Sequence, residues 1–320
     1  MLAALGPVCL LYLFVVLVDP WDTLPLSPPW PRVPISSNAR YSFPALARNP
    51  AYDAAVLGTS TARLLQPSQL DPAFAARFVN LAMNSATAWE QVQMLGIFLR
   101  VHASPKAVLI DIDAAWCTPV ADRLTSRPFP PWMYAENLWP AYREMLTPYA
   151  VQEAANQAGV MLGLKRRRYG LDGYTRFVPP DSDYDPARVD AAFARWPAVD
   201  ETLPQQREGV ALPALALLGP ALQAIPASAR VVLFFPPAHI EQQGLPGSRT
   251  AARWAACKQA VLAIADSRAE IRDFLIPSAI TRDRSSYWDP LHFREGVAAR
   301  VAELLGGGNG TEVRRLTAAP

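Results

Sequence analysis

The stretch Tyr52–Thr61, YDAAVLGTST, decides the reading of this chain. A short apolar run ends in Gly58, which reads as a strand followed by a turn. Gly58 is followed by Thr59, Ser60 and Thr61, so a serine with small neighbours stands where a strand ends. Further along, Ala107 to Ile112 and Arg230 to Phe235 are continuous apolar runs, the kind buried on both faces of a sheet. Phe78 to Met83 and Glu270 to Leu275 read as two further strands.

Between these runs the periodicity changes. Trp89, Val92, Leu95 and Leu99 fall at helical spacing within Thr87 to Val101. Gln206 to Ala224, Ser248 to Ala265 and Arg294 to Leu305 also fit helices, and Asp71 to Arg77 fits a short one with Asp71 as N-cap and Pro72 at N1. Alternating strands and helices predict an α/β fold: a mostly parallel sheet with helices on both faces. The working crevice of such a sheet lies outside the carboxyl ends of its strands.

Composition agrees with a globular chain and excludes several classes. The chain has 320 residues, 51% of them hydrophobic and 18% charged, which excludes a disordered or fibrous protein. A net charge of +2 disfavours a nucleic-acid binder that works by charge. Three cysteines exclude a disulfide-stapled miniprotein and a Cys-rich zinc module. Cys117 and Cys257 either pair or remain buried thiols, and Cys9 lies in the N-terminal apolar run.

Residues 1–19 read as a membrane anchor or uncleaved signal, because Met1 to Val18 carries no charge. Residues 20–44, with Pro20, Pro25, Pro28, Pro29, Pro31 and Pro34, read as a stiff spacer. The domain is expected over 45–310, with a cap-like insertion at 117–205 and a disordered tail at 311–320. The insertion carries Trp132, Tyr134 and Trp139, either sugar-stacking or core residues. It also carries Lys165-Arg166-Arg167-Arg168, a solvated surface run or a contact for anionic lipid or polymer.

The chemistry follows from what stands after each strand. Ser60, Asp289 and His292 have the residue types of a nucleophile, an orienting carboxylate and a base. Asp289 and His292 share one short loop before the last helix, and His292 is one of only three histidines. Asn84 and Ser85 follow the second strand, Asp113 the third and His239 the fourth, so all four are candidates to line the crevice. Asp111 and Asp113 share one face of their strand, as a pair of metal ligands would, but no histidine is near them in sequence. Strand-end and turn-capping roles fit them better.

Leu57-Gly58-Thr59-Ser60-Thr61 followed by Leu70-Asp71-Pro72 resembles the first block of the SGNH (GDSL-like) hydrolase superfamily. Asp289-Pro290-Leu291-His292-Phe293 resembles its last block. Asn80 to Glu90 and Pro236 to His239 are similar to middle blocks of its membrane-anchored, exported branch, which includes alginate O-acetyltransferases and teichoic-acid D-alanylation proteins. The resemblance implies a three-layer α/β/α flavodoxin-like fold and a Ser60-Asp289-His292 triad with no metal or organic cofactor. It implies serine-dependent esterase or O-acyltransferase chemistry on acylated polysaccharide or lipid of the cell envelope, outside the cytoplasmic membrane. The backbone N–H groups of Ser60 and Ser85, with Asn84, are the oxyanion donors it suggests. Where the family places an Asn donor after the third strand, this chain has Asp113. That departure keeps open a catalytically inactive binding or assembly module that partners a membrane-bound acyltransferase.

Overall fold

The computed structural model describes residues 2–196, 199, 210–265 and 267–317. Its strands are β1 (Ala54–Leu57), β2 (Phe78–Asn80), β3 (Ala107–Asp111), β4 (Arg230–Phe235), β5 (Glu270–Asp273) and β6 (Arg314–Leu316). They form one sheet in the order β2-β1-β3-β4-β5-β6. All neighbours are parallel except β5 and β6. Val56 stands opposite Leu109, and Ile110 opposite Leu233. The expected α/β class with a mostly parallel sheet is what the chain forms.

The helices are α1 (Leu2–Val18), α2 (Ala39–Ala47), α3 (Pro67–Phe74), α4 (Ala88–Val101), α5 (Ala141–Glu144), α6 (Pro148–Met161), α7 (Pro186–Arg195), α8 (Leu218–Ala224), α9 (Arg249–Ala265), α10 (Ala279–Arg282) and α11 (Glu295–Gly306). Alternation along each strand divides the core between two faces. Leu57, Val108, Ile110, Leu233 and Phe235 share one apolar cluster with Met94 and Phe98 of α4, Leu222 of α8 and Val261 of α9. Val56, Leu109, Val232 and Phe234 share the other with Leu70 of α3 and Val301 and Leu305 of α11.

The N-terminal segment packs against the rest of the chain at its carboxyl end. α1 has 17 residues, a length of about 25 Å. Among the described residues, no helix is long and apolar enough to cross a membrane. Val15 and Val18 of α1 are buried, and Tyr12 donates to the Tyr142 carbonyl at 2.8 Å, so α1 docks on the domain. Nor do residues 20–44 form a free spacer. Trp21 and Leu24 are buried, with Trp21 packed against Tyr41, Trp132 and Tyr149. Arg32 Nε donates to the Val18 carbonyl at 2.7 Å, a positive charge at the carboxyl end of α1. α2 begins at Ala39, and its Arg40 pairs with Glu90 of α4 with both side chains almost fully buried.

Other boundaries shift for local reasons. α3 starts at Pro67 rather than Asp71, with proline in its first turn. Asp71 therefore sits inside the helix and accepts from the Phe78 N–H at 2.7 Å. The helix expected over 206–224 shrinks to α8, preceded by a tight turn at Pro213–Leu217, and 206–209 lie outside the described residues. The 311–320 tail is ordered in part. β6 pairs antiparallel with β5, held by Arg315–Glu270 and by Arg300–Glu312. Residues 318–320 lie outside the described residues.

The insertion divides in two. Its first half, α5 and α6, packs beside α1; Tyr134 is buried, and Trp132 lies against Trp21. Trp139 is exposed and stacks on Tyr142. None of the three aromatic residues lines the crevice beside Ser60. The second half turns back onto the C-terminal loop, where Val178, Val189 and Phe193 pack against Tyr287, Trp288 and Phe293. Residues 197–198 and 200–205 of the insertion are not among those described. Cys117 and Cys257 form a disulfide with their Cα atoms 5.6 Å apart, joining the start of the insertion to α9.

Candidate active site

The sheet order reverses between β1 and β3, and the chain that leaves both strands meets there. Such a switch point opens a crevice at the carboxyl edge of the sheet. Gly58 makes the turn after β1 at φ +154°. A Cβ placed there would lie 2.5 Å from Asp111 Cβ and 2.6 Å from Ala62 Cβ. Only glycine lets the turn lie this close to β3, and the turn presents Ser60, half-buried, to a crevice of about 380 Å³.

His292 arrives on the loop between α10 and α11. Trp288 N–H donates to the His292 carbonyl at 2.8 Å, and Tyr287 bridges to Phe293, closing the loop on itself. Asp289 Oδ1 accepts from the N–H groups of Leu291 and His292, each at 2.9 Å. Asp289 Oδ2 lies 2.7 Å from His292 Nδ1, and His292 Nε2 lies 2.7 Å from Ser60 Oγ. With Nδ1 protonated, Nε2 accepts the serine proton, the arrangement that activates a hydroxyl. Burial alone would raise the Asp289 pKa. The hydrogen bond and charge of His292, with the two N–H groups, outweigh burial and hold it below its ordinary value. Ser60, Asp289 and His292 are thus brought together as the sequence predicts.

His239 is not a crevice residue. It is buried, packed edge-on against Phe193 and Tyr287, and its N–H donates to the Pro290 carbonyl at 2.8 Å. Burial lowers its pKa, which favours the neutral ring. It braces the Asp289 loop from behind.

Ser85 is exposed and lines the crevice with Ser60. It adopts φ +52°, a left-handed conformation that glycine takes without strain. Ser60 and Ser85 both line the crevice, and among the described residues neither backbone N–H has a hydrogen-bond partner. Asn84 is turned away from the crevice lining, and its Oδ1 accepts from Arg63. Asp113 lines the crevice, with Oδ1 accepting from the Ala115 N–H at 2.8 Å and Oδ2 from the Thr59 hydroxyl.

A second layer lies under the turn. Thr61 Oγ1 donates to Asp111 Oδ2 at 2.6 Å, and the Thr59 and Thr61 hydroxyls stand 3.4 Å apart. Asp111 is fully buried and its Oδ1 has no partner. Burial, reinforced by Asp113, pushes its pKa well above the ordinary carboxylate range. Burial also raises that of Asp113. Asp113 caps the turn after β3, as its sequence position suggests. Among the described residues, no group of three or more His, Cys, Asp and Glu stands together as a metal site.

Two neighbours of the triad were not legible beforehand. Phe177, from the insertion, meets the His292 ring edge-on at 5.6 Å, and the Arg63 guanidinium lies over Phe177 at 4.8 Å. Both contacts cross long sequence distances and carry no local signal. A larger cavity of about 720 Å³, between the N-terminal segment and α2, contains none of the triad. In comparisons with known proteins, no family model matches the chain and no curated protein matches it.

Proposed function

We propose that this chain is a serine-dependent esterase or O-acyltransferase of SGNH type. The single observation that carries the reading is the unbroken relay Asp289–His292–Ser60, with both links at 2.7 Å and the serine open to a crevice. Ser60 Oγ attacks the ester carbonyl carbon as its proton passes to His292 Nε2. The ester C–O bond then breaks, and the departing alcohol takes that proton, leaving an acyl-serine. Water or an acceptor hydroxyl gives its proton to His292, attacks the acyl-serine and restores the enzyme. Asp289 keeps the ring oriented and stabilises the imidazolium. The Ser60 and Ser85 N–H groups hold the oxyanion, and loss of one such donor typically costs about 10²–10³ in rate.

The substrates we propose are acyl esters of envelope polysaccharide or lipid, handled outside the cytoplasm at a membrane. The Cys117–Cys257 disulfide supports an oxidising compartment. One observation favours the inactive binding module as a second reading. Asp113, a carboxylate, stands where an Asn donor would complete an SGNH oxyanion site.

The test is labelling of the full chain with an alkyl fluorophosphonate. Labelling of wild type that disappears in Ser60→Ala and falls at least a hundredfold in rate in His292→Ala is expected. Folded wild-type protein that leaves the probe unreacted would move the assignment to the binding module.

A further inference from the structure

The lining of the Ser60 crevice has a marked chemical bias. Ser85, Thr87 and Thr118 bring hydroxyls, Asp113 and Asp122 bring carboxylates, and among the described residues no Lys or Arg lines it. The buried carboxylate of Asp111 and the half-buried one of Asp113 are close enough to share one set of hydroxyls, so their charges compete. Asp113 is the better anion. Both of its oxygens accept hydrogen bonds and it reaches the crevice, whereas Asp111 is sealed below with one oxygen unpartnered. Of the two, Asp111 is pushed further toward its protonated form, and Asp113 is the carboxylate that faces the crevice. Asp122 is exposed and adds a second.

Positive groups nearby are already engaged. The Arg63 guanidinium keeps its charge but is held by Asn84 and Phe177 and does not line the crevice, and Arg40 is neutralised by Glu90. The Arg123 guanidinium lies over the Trp89 ring at 4.3 Å. The amino end of α4 at Thr87 also faces the crevice, and Glu90 accepts the Thr87 N–H at 3.0 Å, so that donor is already taken.

We propose that the crevice beside Ser60 takes esters whose acyl group and acceptor carry no negative charge, an uncharged sugar being the acceptor it fits, and turns away uronate- or phosphate-bearing chains. Sugar hydroxyls can donate to Asp113 and Asp122 and exchange hydrogen bonds with Ser85 and Thr118. An anionic ring in the same space meets the carboxylates of Asp113 and Asp122. The inference rests on the serine reading above and narrows its substrate.

The test uses the full chain with two esters that differ only in charge, 4-nitrophenyl hemisuccinate and its methyl ester. Rates are corrected with Ser60→Ala and for uncatalysed hydrolysis. The neutral ester is expected to show a kcat/KM on the order of tenfold higher, from Coulomb repulsion across several ångströms at intermediate dielectric. Asp122→Asn and added salt should each narrow the gap. Equal turnover of the two esters, or a gap unmoved by Asp122→Asn, overturns the charge selection and leaves the serine reading standing. Absence of Ser60-dependent turnover of both esters overturns the serine reading, and the substrate assignment with it.

Discussion

Replacing Arg40 by alanine tests whether the N-terminal segment belongs to the catalytic fold. Arg40 and Glu90 are paired with side chains 1% and 0% exposed. Arg40 donates from both Nε and Nη2, so the pairing is bidentate. Arg40→Ala strands the Glu90 carboxylate in the core, where the Thr87 N–H is its remaining donor. Breaking one partner of a buried pair costs about 3–5 kcal/mol. At about 2.1 cal/mol/K per residue, that corresponds to a fall in Tm of roughly 4–8 °C for a chain of this length. Urea unfolding followed by tryptophan fluorescence gives the free energy directly. Replacing both partners, as Arg40→Met with Glu90→Leu, removes the stranded charge and should cost less than Arg40→Ala alone. A loss below about 1 kcal/mol for Arg40→Ala would refute the argument, because the pair would then behave as a surface one. So would a double variant as unstable as the sum of its singles.

Gly58→Ala should destabilise the fold by about 1–3 kcal/mol, the usual cost of overpacking, and slow fluorophosphonate labelling, because the new Cβ meets Asp111 and Ala62; urea titration and labelling kinetics measure both. Ser85→Gly should stabilise the chain by about 1 kcal/mol, by relieving the left-handed backbone, and leave labelling intact, since the N–H is kept; a loss of both would count against Ser85 as donor. The pKa of Asp289 is depressed, so its contribution to stability is complete above about pH 4 and lost as pH falls through the lowered value. Asp289→Asn should therefore flatten the acid limb of a stability–pH curve. Asp111 has the opposite sign. Its raised pKa gives a contribution complete below about pH 4 and lost as pH rises through the raised value, so Asp111→Asn should gain on wild type with rising pH.

The sheet was legible because strands buried on both faces leave unbroken apolar runs, and Arg230 to Phe235 is found where the run lies. The triad was legible because a serine ends a strand and an Asp and His share one loop. Roles set by distant partners were not legible. The prolines of 20–44 suggest a rod, yet Trp21 finds its site among Tyr41, Trp132 and Tyr149, far apart in sequence. Arg314-Arg315-Leu316 has no apolar pattern because it is an edge strand held partly by charge. Asn84 follows a strand as a crevice donor should, but Arg63 engages its carbonyl. His239 likewise follows a strand, and two aromatic rings seal it behind the loop.

Ser60 and His292 are separated by 232 residues, and Cys117 and Cys257 by 140. At roughly 5–20 residues per second, a ribosome takes on the order of ten to fifty seconds to travel from the serine codon to the histidine codon. Until His292 is made the Ser60 hydroxyl lacks its histidine partner, and until Cys257 is made Cys117 lacks its disulfide partner. Under the proposed serine chemistry, a chain that stops short of His292 has no base for Ser60 and leaves esters untouched. The Asp289–His292–Ser60 array is completed only when the last segment meets the first.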